Sequence, residues 1–246
     1  MAEKCIRKHF IDNFDVDVSS HLKPSAFLCM AQSIAAEQVV MLDCGATYFD
    51  LLKENKAWAI SRAHFKFLKM PKVFDKYVFS SWHKRREKLF YLRDYKMESP
   101  DGEVLIVGTA SWIVLDLEKR SVSYWDRMNE NHEIHDDAVE DAAPRVRMPR
   151  GVQAELAGEH VVKYSDVDTN FHANNTKYVD WAMDVLDYEL TSTRQIKELI
   201  VNYNHEVRPG QTVQLYTAVV EEEGRLCYFV DGRVEGVSSF CIELVY

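Results

Sequence analysis

The pattern of hydrophobic and polar positions predicts one long helix and four strands in each half of the chain. A helix is predicted over residues 24–43, begun by a proline and ended by Gly45. Its apolar side chains cover most of the circumference, which predicts a helix buried on nearly all sides. In the second half, Asn174 or Asn175 can cap a helix that ends near Tyr188, with its polar residues on one narrow stripe.

Strand-like segments follow each helix. They are 57–68, 77–83, 89–97 and 104–116 in the first half, and 198–207, 212–221, 226–234 and 238–246 in the second. The tetrapeptide Ser-Pro-Asp-Gly at 99–102 predicts a hairpin between two of them. Pro71 and Pro209 are expected at matching bends after the first of these strands in each half.

A short sequence repeat precedes both helices. Residues 15–21 read Asp-Val-Asp-Val-Ser-Ser-His and residues 166–172 read Asp-Val-Asp-Thr-Asn-Phe-His, so four of the seven positions are identical. A repeat followed by the same order of elements predicts two copies of one structural unit. We expect units at 1–120 and 156–246, joined by a linker at 121–155 that includes an acidic stretch. The fold class is α+β, with two antiparallel sheets, each wrapped around a long buried helix.

Composition and charge exclude several classes of protein. The 246 residues are 47% hydrophobic and 28% charged, which is ordinary for a globular protein. No apolar run approaches the ~20 residues of a membrane helix, and the N-terminus lacks a secretory signal, so we expect a cytoplasmic protein without membrane insertion. The net charge of -9 argues against non-specific nucleic-acid binding. Five cysteines and nine histidines show no metal-binding spacing, so neither a metal nor a cofactor is predicted.

Polar side chains gather immediately before the second helix. They are Asp168, Asn170 and His172, followed by Asn174 and Asn175. A helix N-terminus offers unpaired N–H groups and a partial positive charge that can polarise a thioester carbonyl, and histidine transfers protons near neutral pH. Each residue alone fits a turn or a cap equally well. The first copy lacks the asparagines, which favours the second copy as the catalytic one.

The sequence of this region resembles a known family. Residues 164–178, Tyr-Ser-Asp-Val-Asp-Thr-Asn-Phe-His-Ala-Asn-Asn-Thr-Lys-Tyr, resemble the signature S-D-x-D-x-N-x-H-x-N-N-x-K-Y of plant and bacterial acyl-acyl-carrier-protein thioesterases. Residues 202–207 resemble the family strand E-Y-R-R-E-C, and segments 57–64 and 93–95 also resemble the family. The resemblance spans nearly the whole chain. It implies a tandem (double) hotdog fold and hydrolysis of fatty acyl-acyl carrier protein (acyl-ACP) to a free fatty acid, which ends chain elongation.

The resemblance also implies roles for individual residues. It places Asp168, Asn170, His172 and Glu206 in the active site. Glu206, with His172, would activate water by general-base catalysis, Asn170 would position the thioester, and Asp168 would orient Asn170 or His172. The family often has cysteine after the glutamate, and this chain has Val207, so a cysteine nucleophile is impossible at that position.

The same resemblance places the acyl chain in a tunnel of the first unit, between helix 24–43 and its sheet. Candidate lining residues are Phe27, Met30, Trp58, Phe65, Phe67 and Trp112, and Asn174 and Asn175 are further candidates for substrate binding. Each aromatic residue could equally be part of the hydrophobic core.

The partner implied by the resemblance is acyl carrier protein with its phosphopantetheine-linked acyl chain. Because that partner is acidic, docking needs a local positive field. The first candidates are Lys84, Arg85, Arg86 and Lys88, and the second are Arg145, Arg147 and Arg150. Three alternatives remain open: an acyl-CoA thioesterase, a non-catalytic acyl-binding protein, and a dehydratase-like hotdog enzyme. A homodimer is also left open.

Overall fold

The described part of the chain forms one antiparallel sheet with helices packed against it. The computed structural model describes residues 4–125, 141–222 and 224–246. The strands are β1 (Cys5–Phe10), β2 (Lys56–Phe67), β3 (Lys76–Glu87), β4 (Phe90–Glu98), β5 (Val104–Asp116), β6 (Ser121–Ser123), β7 (Glu155–Val161), β8 (Glu198–Tyr203), β9 (Thr212–Glu222), β10 (Arg225–Val234) and β11 (Val237–Val245). The helices are α1 (Pro24–Leu42), α2 (Tyr48–Lys53), α3 (Lys177–Asp184) and α4 (Tyr188–Thr193).

The order of the strands shows how the two units meet. It is β1-β3-β4-β5-β2-β8-β11-β10-β9-β7, with β6 paired to β5. Residues 62–66 of β2 pair with residues 198–202 of β8, so the sheets of the two units are continuous. The two predicted antiparallel sheets are therefore joined edge to edge into one. Pairing between β2 and β8 satisfies backbone groups that two separate units would each leave exposed at a sheet edge.

Helix α1 begins and ends close to the predicted positions, but its burial differs from the prediction. Its first residue is a proline, and it ends at Asp43, whose left-handed backbone (φ 43°) lets its N–H donate to Val40 O. The face that contains Phe27 is buried, whereas Val40 and Met41 near the C-terminal end are 65% and 46% exposed. The prediction of a helix buried on nearly all sides is therefore wrong.

Helix α1 also differs from the expectation that no segment has the length and composition of a membrane span. Its 19 residues contain a window with a mean hydropathy of 1.4, of which 39% is buried inside the protein. Core helices of soluble proteins reach the same values. Length and composition alone therefore do not distinguish a membrane span from a core helix. In the structure this helix packs against β1 and β3.

The second buried helix is shorter than predicted. It ends at Asp184, because the side chain of Asp187 accepts a hydrogen bond from Leu190 N at 2.9 Å and begins α4. The residue that precedes its first turn is Thr176. Asn174 contributes through its side chain, whose Oδ1 accepts from Thr176 N at 3.0 Å.

The repeated motif folds into the same turn in both copies. Asp17 N donates to His21 O at 2.8 Å, and Asp168 N donates to His172 O at 3.0 Å. In each copy the aspartate Oδ1 also accepts from the backbone N–H two residues later, at 2.8 and 2.9 Å. The hydrogen bonds therefore agree with the internal repeat inferred from seven residues.

The same hydrogen bonds correct one predicted equivalence. The residue after the motif histidine donates to Pro71 O in the first copy (2.9 Å) and to Val207 O in the second (2.8 Å). Pro71 thus corresponds to Val207, and the predicted pairing of Pro71 with Pro209 is wrong by two residues.

The predicted linker is described only in part. β6 pairs with β5, and Trp125 is buried in a cluster with Trp58 and Tyr91, so residues 121–125 pack on the first unit. Residues 126–140, most of the predicted acidic stretch, lie outside the described residues.

Candidate active site

The predicted catalytic residues lie on two segments that the fold brings together. Asp168, Asn170 and His172 lie on the turn before α3, and Glu206 lies on the loop after β8. β8 ends before its predicted end, because the N–H groups of residues 204 and 205 both donate to Ser239 O, at 2.8 and 3.0 Å. The chain leaves the strand ladder at this point. His172 Nε2 and Glu206 Oε2 are 3.2 Å apart.

Two arginines bind the other oxygen of the Glu206 carboxylate. Arg208 Nη2 lies 2.7 Å and Arg120 Nη2 lies 2.9 Å from Oε1, which leaves Oε2 facing His172. Partial burial raises the pKa of Glu206, but the hydrogen bond from Arg208 and the electrostatic interactions with His172, Arg208 and Arg120 outweigh it. The net effect lowers the pKa, so Glu206 is ionised at neutral pH. Neither arginine lies in a sequence motif that marks it as functional.

Asp168 fixes the shape of the turn. Its Oδ1 accepts from Asn170 N at 2.9 Å, and its Oδ2 accepts from Asn174 Nδ2 at 3.3 Å. Its hydrogen bond with His172 is made through the backbone, from Asp168 N to His172 O. This carboxylate therefore positions the loop that carries Asn170 and His172.

The two candidate substrate-binding asparagines make contacts within the protein. Asn174 O accepts from Lys177 N at 2.9 Å, and Asn174 Oδ1 accepts from Thr176 N at 3.0 Å. These two N–H groups at the start of α3 are thus bonded within the turn, which reduces the donors that this helix end can offer a ligand. Asn175 Oδ1 accepts a hydrogen bond from Gln32 Nε2 of α1 and so joins the two units.

A cavity of about 370 Å³ lies in the first unit beside this turn. Its walls come from α1, the α2 region and strands β2 to β5, and they are mainly apolar, with Val39, Trp58 and Trp112 among them. Arg93 and His83 are polar residues of the same lining. Asn170 also lines the cavity, and it comes from the second unit. The cavity therefore extends from the motif turn into the first unit.

Comparison with known proteins decides the family. Residues 3–131 match the acyl-ACP thioesterase N-terminal domain, and residues 151–243 match the acyl-ACP thioesterase C-terminal domain. The chain belongs to the acyl-ACP thioesterase family.

Relatives and solved structures agree with this assignment. The chain is 21% identical over 230 residues to oleoyl-acyl carrier protein thioesterase 2 of Arabidopsis thaliana, covering 85% of this chain and 61% of that protein. It is 24% identical to the dodecanoyl-[acyl-carrier-protein] hydrolase of Cinnamomum camphora, covering 86% and 57%. The chain thus spans about three fifths of the length of these relatives.

The fold is the double hotdog of solved acyl-ACP thioesterases. The structure of an acyl-ACP thioesterase from Bacteroides thetaiotaomicron superposes with a TM-score of 0.81 at 19% identity, covering 98% of this chain and 97% of that one. The 12:0-ACP thioesterase from Umbellularia californica gives a TM-score of 0.80 at 18% identity, covering 98% and 93%.

Within this thioesterase fold, the predicted acyl-binding residues fall into two groups. Trp58 and Trp112 line the cavity, and Trp58 Nε1 donates to Ala46 O at 2.9 Å. Phe27 lies elsewhere: it is fully buried, and its ring packs edge-on against those of Phe65 and Phe67, at centroid distances of 4.9 and 5.7 Å. Met30 packs on the same core. Neither Phe27 nor Met30 lines the cavity, so their positions fit the core alternative.

The prediction that Lys84 belongs to an exposed docking patch is wrong. Its side chain is fully buried, with Nζ 3.4 Å from Asp94 Oδ1. A β-bulge between residues 83 and 85 places this extra residue inside the protein. Arg85 pairs with the nearby Glu87, and Arg86 lies 4.4 Å from the centroid of a tyrosine ring. Lys88 is exposed in the hairpin turn. The segment therefore does not present its basic side chains as one surface.

The matching turn of the first copy lacks the histidine–glutamate pair. Because Pro71 corresponds to Val207, Met70 stands where the second copy has Glu206. The histidine of this turn, His21, lies with Nε2 2.7 Å from Gln195 Nε2 of the second unit. Across the residues that the structure describes, no group of three or more His, Cys, Asp or Glu side chains could hold a metal ion.

Proposed function

We propose that the protein hydrolyses the thioester of fatty acyl-ACP and releases a free fatty acid. The observation that carries the proposal is the His172–Glu206 pair, 3.2 Å apart, beside a turn whose Asn170 lines a largely apolar cavity. A proton-transfer pair next to a space for an acyl chain suits a thioester substrate. Two relatives, an oleoyl-ACP thioesterase and a dodecanoyl-ACP hydrolase, support the same class of substrate.

In this mechanism His172 is the base, and Glu206 is its partner. A carboxylate bound by two guanidinium groups, with a lowered pKa, is a weak proton acceptor at neutral pH. Its Oε2 faces His172 Nε2, which leaves Nδ1 of the ring to take a proton from water. Glu206 then stabilises the imidazolium that forms, as the carboxylate does in other carboxylate–histidine pairs.

The remaining steps follow from the position of Asn170. Its side-chain amide would donate to the thioester carbonyl while the acyl chain occupies the cavity. The water oxygen bonds to the carbonyl carbon, and the intermediate collapses by breaking the carbon–sulfur bond. The proton held by His172 passes to the leaving sulfur, giving the carrier thiol and a free fatty acid.

Docking of the acidic carrier protein is assigned to the second basic segment. Arg145, Arg147 and Arg150 are exposed, and Val146 between them is buried. Asn202 of β8 bonds both backbone groups of Val146, with its Oδ1 accepting and its Nδ2 donating at 3.1 Å each. This arrangement directs arginines outwards along a segment fixed to the centre of the sheet, which suits an acidic partner.

His172, Glu206, Arg120 and the cavity all belong to one chain, so the proposed reaction needs no residue from a second copy. A homodimer is a separate expectation, and the cytoplasmic location also stays a prediction.

Release of free fatty acid from matched acyl-ACP and acyl-CoA thioesters tests the proposal. We expect faster release from acyl-ACP, and a loss in kcat of about 10²–10⁴-fold in His172→Ala and Glu206→Ala. His21→Ala is the matched control, because it removes the equivalent histidine from the first copy and should keep activity. The proposal fails if the wild-type protein releases no fatty acid, or if the two catalytic-pair variants match it. Faster release from acyl-CoA would assign the protein to the coenzyme A substrate instead.

A further inference from the structure

Arg120 is a residue of the first unit that contacts the catalytic carboxylate of the second. It lies in the turn between β5 and β6, with a left-handed backbone (φ 50°). Its Nη2 donates to Glu206 Oε1 at 2.9 Å, across 86 residues of sequence. Both strands that hold this turn belong to the sheet of the first unit.

We propose that Arg120 is a positioning residue for hydrolysis, which holds Oε1 of Glu206 so that Oε2 stays directed at His172. This inference rests on the proposed function.

The need for such a contact follows from the place of Glu206 in the chain. Residues 204–206 are exposed, and Glu206 lies past the end of β8. Arg208 also binds Oε1, but it lies only two residues further along the same loop. Arg120 instead joins the carboxylate to a strand turn in the other unit. It therefore fixes the glutamate relative to the wall of the acyl cavity.

The charges around Glu206 show what removal of Arg120 would change. Arg120, Arg208 and His172 face the carboxylate, and the phenol of Tyr178 on α3 lies close enough to feel its charge. Burial raises the pKa of Tyr178, so it stays neutral. Removing Arg120 takes away one of the positive charges that favour the ionised carboxylate, so the pKa of Glu206 rises towards its ordinary value.

The test compares Arg120→Gln and Arg120→Lys on two substrates with the same acyl group. One is acyl-ACP, and the other is a small uncharged acyl-N-acetylcysteamine thioester. We expect Arg120→Gln to lower kcat by about 10- to 100-fold on both substrates, because misplacement of a catalytic group lowers the rate of the chemical step. KM should stay near the wild-type value, and Arg120→Lys should recover part of kcat.

The matched control is Lys119→Gln. This neighbouring side chain is 76% exposed, and its ion pair, at 3.9 Å, is with Asp116. The variant should therefore keep wild-type kinetics. If Arg120 only attracted the acidic carrier protein, Arg120→Gln would raise KM for acyl-ACP alone and leave kcat unchanged on both substrates. That result would overturn the inference and leave the proposed function intact. A wild-type protein that hydrolyses neither substrate would instead reject the proposed function itself.

Discussion

Enlarging one side chain of the cavity should shorten the acyl chains that the protein accepts. Val39 lies on α1, lines the cavity and is partly buried. Phenylalanine at this position adds four carbon atoms to the side chain. These carbons would take space that four methylene groups of a long acyl chain would occupy. Long chains then lose ~0.8 kcal/mol of binding free energy for each excluded methylene group, or ~3 kcal/mol in all. This corresponds to a loss of about 200-fold in kcat/KM.

The assay is kcat/KM across acyl-ACPs of increasing chain length, for wild type and Val39→Phe. Chains too short to reach residue 39 should be hydrolysed as before, and the loss should appear only above a threshold length. Met41→Phe is the control, because Met41 is on the same helix, 46% exposed and outside the cavity lining. An equal loss at every chain length, or an unchanged profile, would refute the placement of the acyl chain in this cavity.

Two further predictions concern stability. Lys84→Met should lower the free energy of unfolding by about 3–5 kcal/mol, because it leaves the buried carboxylate of Asp94 without its ammonium partner. Denaturant unfolding measures this free energy. The control Lys119→Met, at an exposed ion pair, should change it little. Asp166→Asn should cost about 1–3 kcal/mol at neutral pH, because Asp166 Oδ2 accepts from Lys163 N at 2.8 Å and lies 2.9 Å from His160 Nε2. Burial raises the pKa of Asp166, but these hydrogen bonds outweigh it and lower the pKa below its ordinary value of 3.8. The stabilisation is therefore present above pH 3.8 and disappears as the pH falls through the lowered pKa. A difference between wild type and Asp166→Asn that persists in strong acid would contradict this explanation.

The sequence singles out His172 and Glu206 as candidates, His172 from a repeated motif and Glu206 from a segment that resembles a strand of the family. The fold brings the two side chains within 3.2 Å of each other. Their catalytic role stays a prediction. Arg120 has no such signal: it is 86 residues from Glu206 along the chain, and its contact depends on how the two units meet. The continuous sheet and contacts such as Gln32–Asn175 define that meeting.

Two errors have physical causes that the hydrophobic pattern does not record. Lys84 stands in a run of basic residues in the sequence, which predicts an exposed side chain. The β-bulge in β3 instead buries it inside the protein. The apolar circumference of α1 predicts full burial, but part of its exposed side, including Val40, lines the cavity. Apolar residues there fit a ligand-binding surface as well as a core.

A hinge opening between the two halves would break the backbone hydrogen bonds between residues 62–66 and 198–202, in the middle of the sheet. We therefore expect the two halves to move as one body. Parts of the cavity wall outside the sheet include the end of α1 and the first residues of α2, where Val40, Tyr48 and Phe49 are exposed. If the cavity holds the acyl chain as proposed, we expect long chains to enter and leave through local motion of these helices.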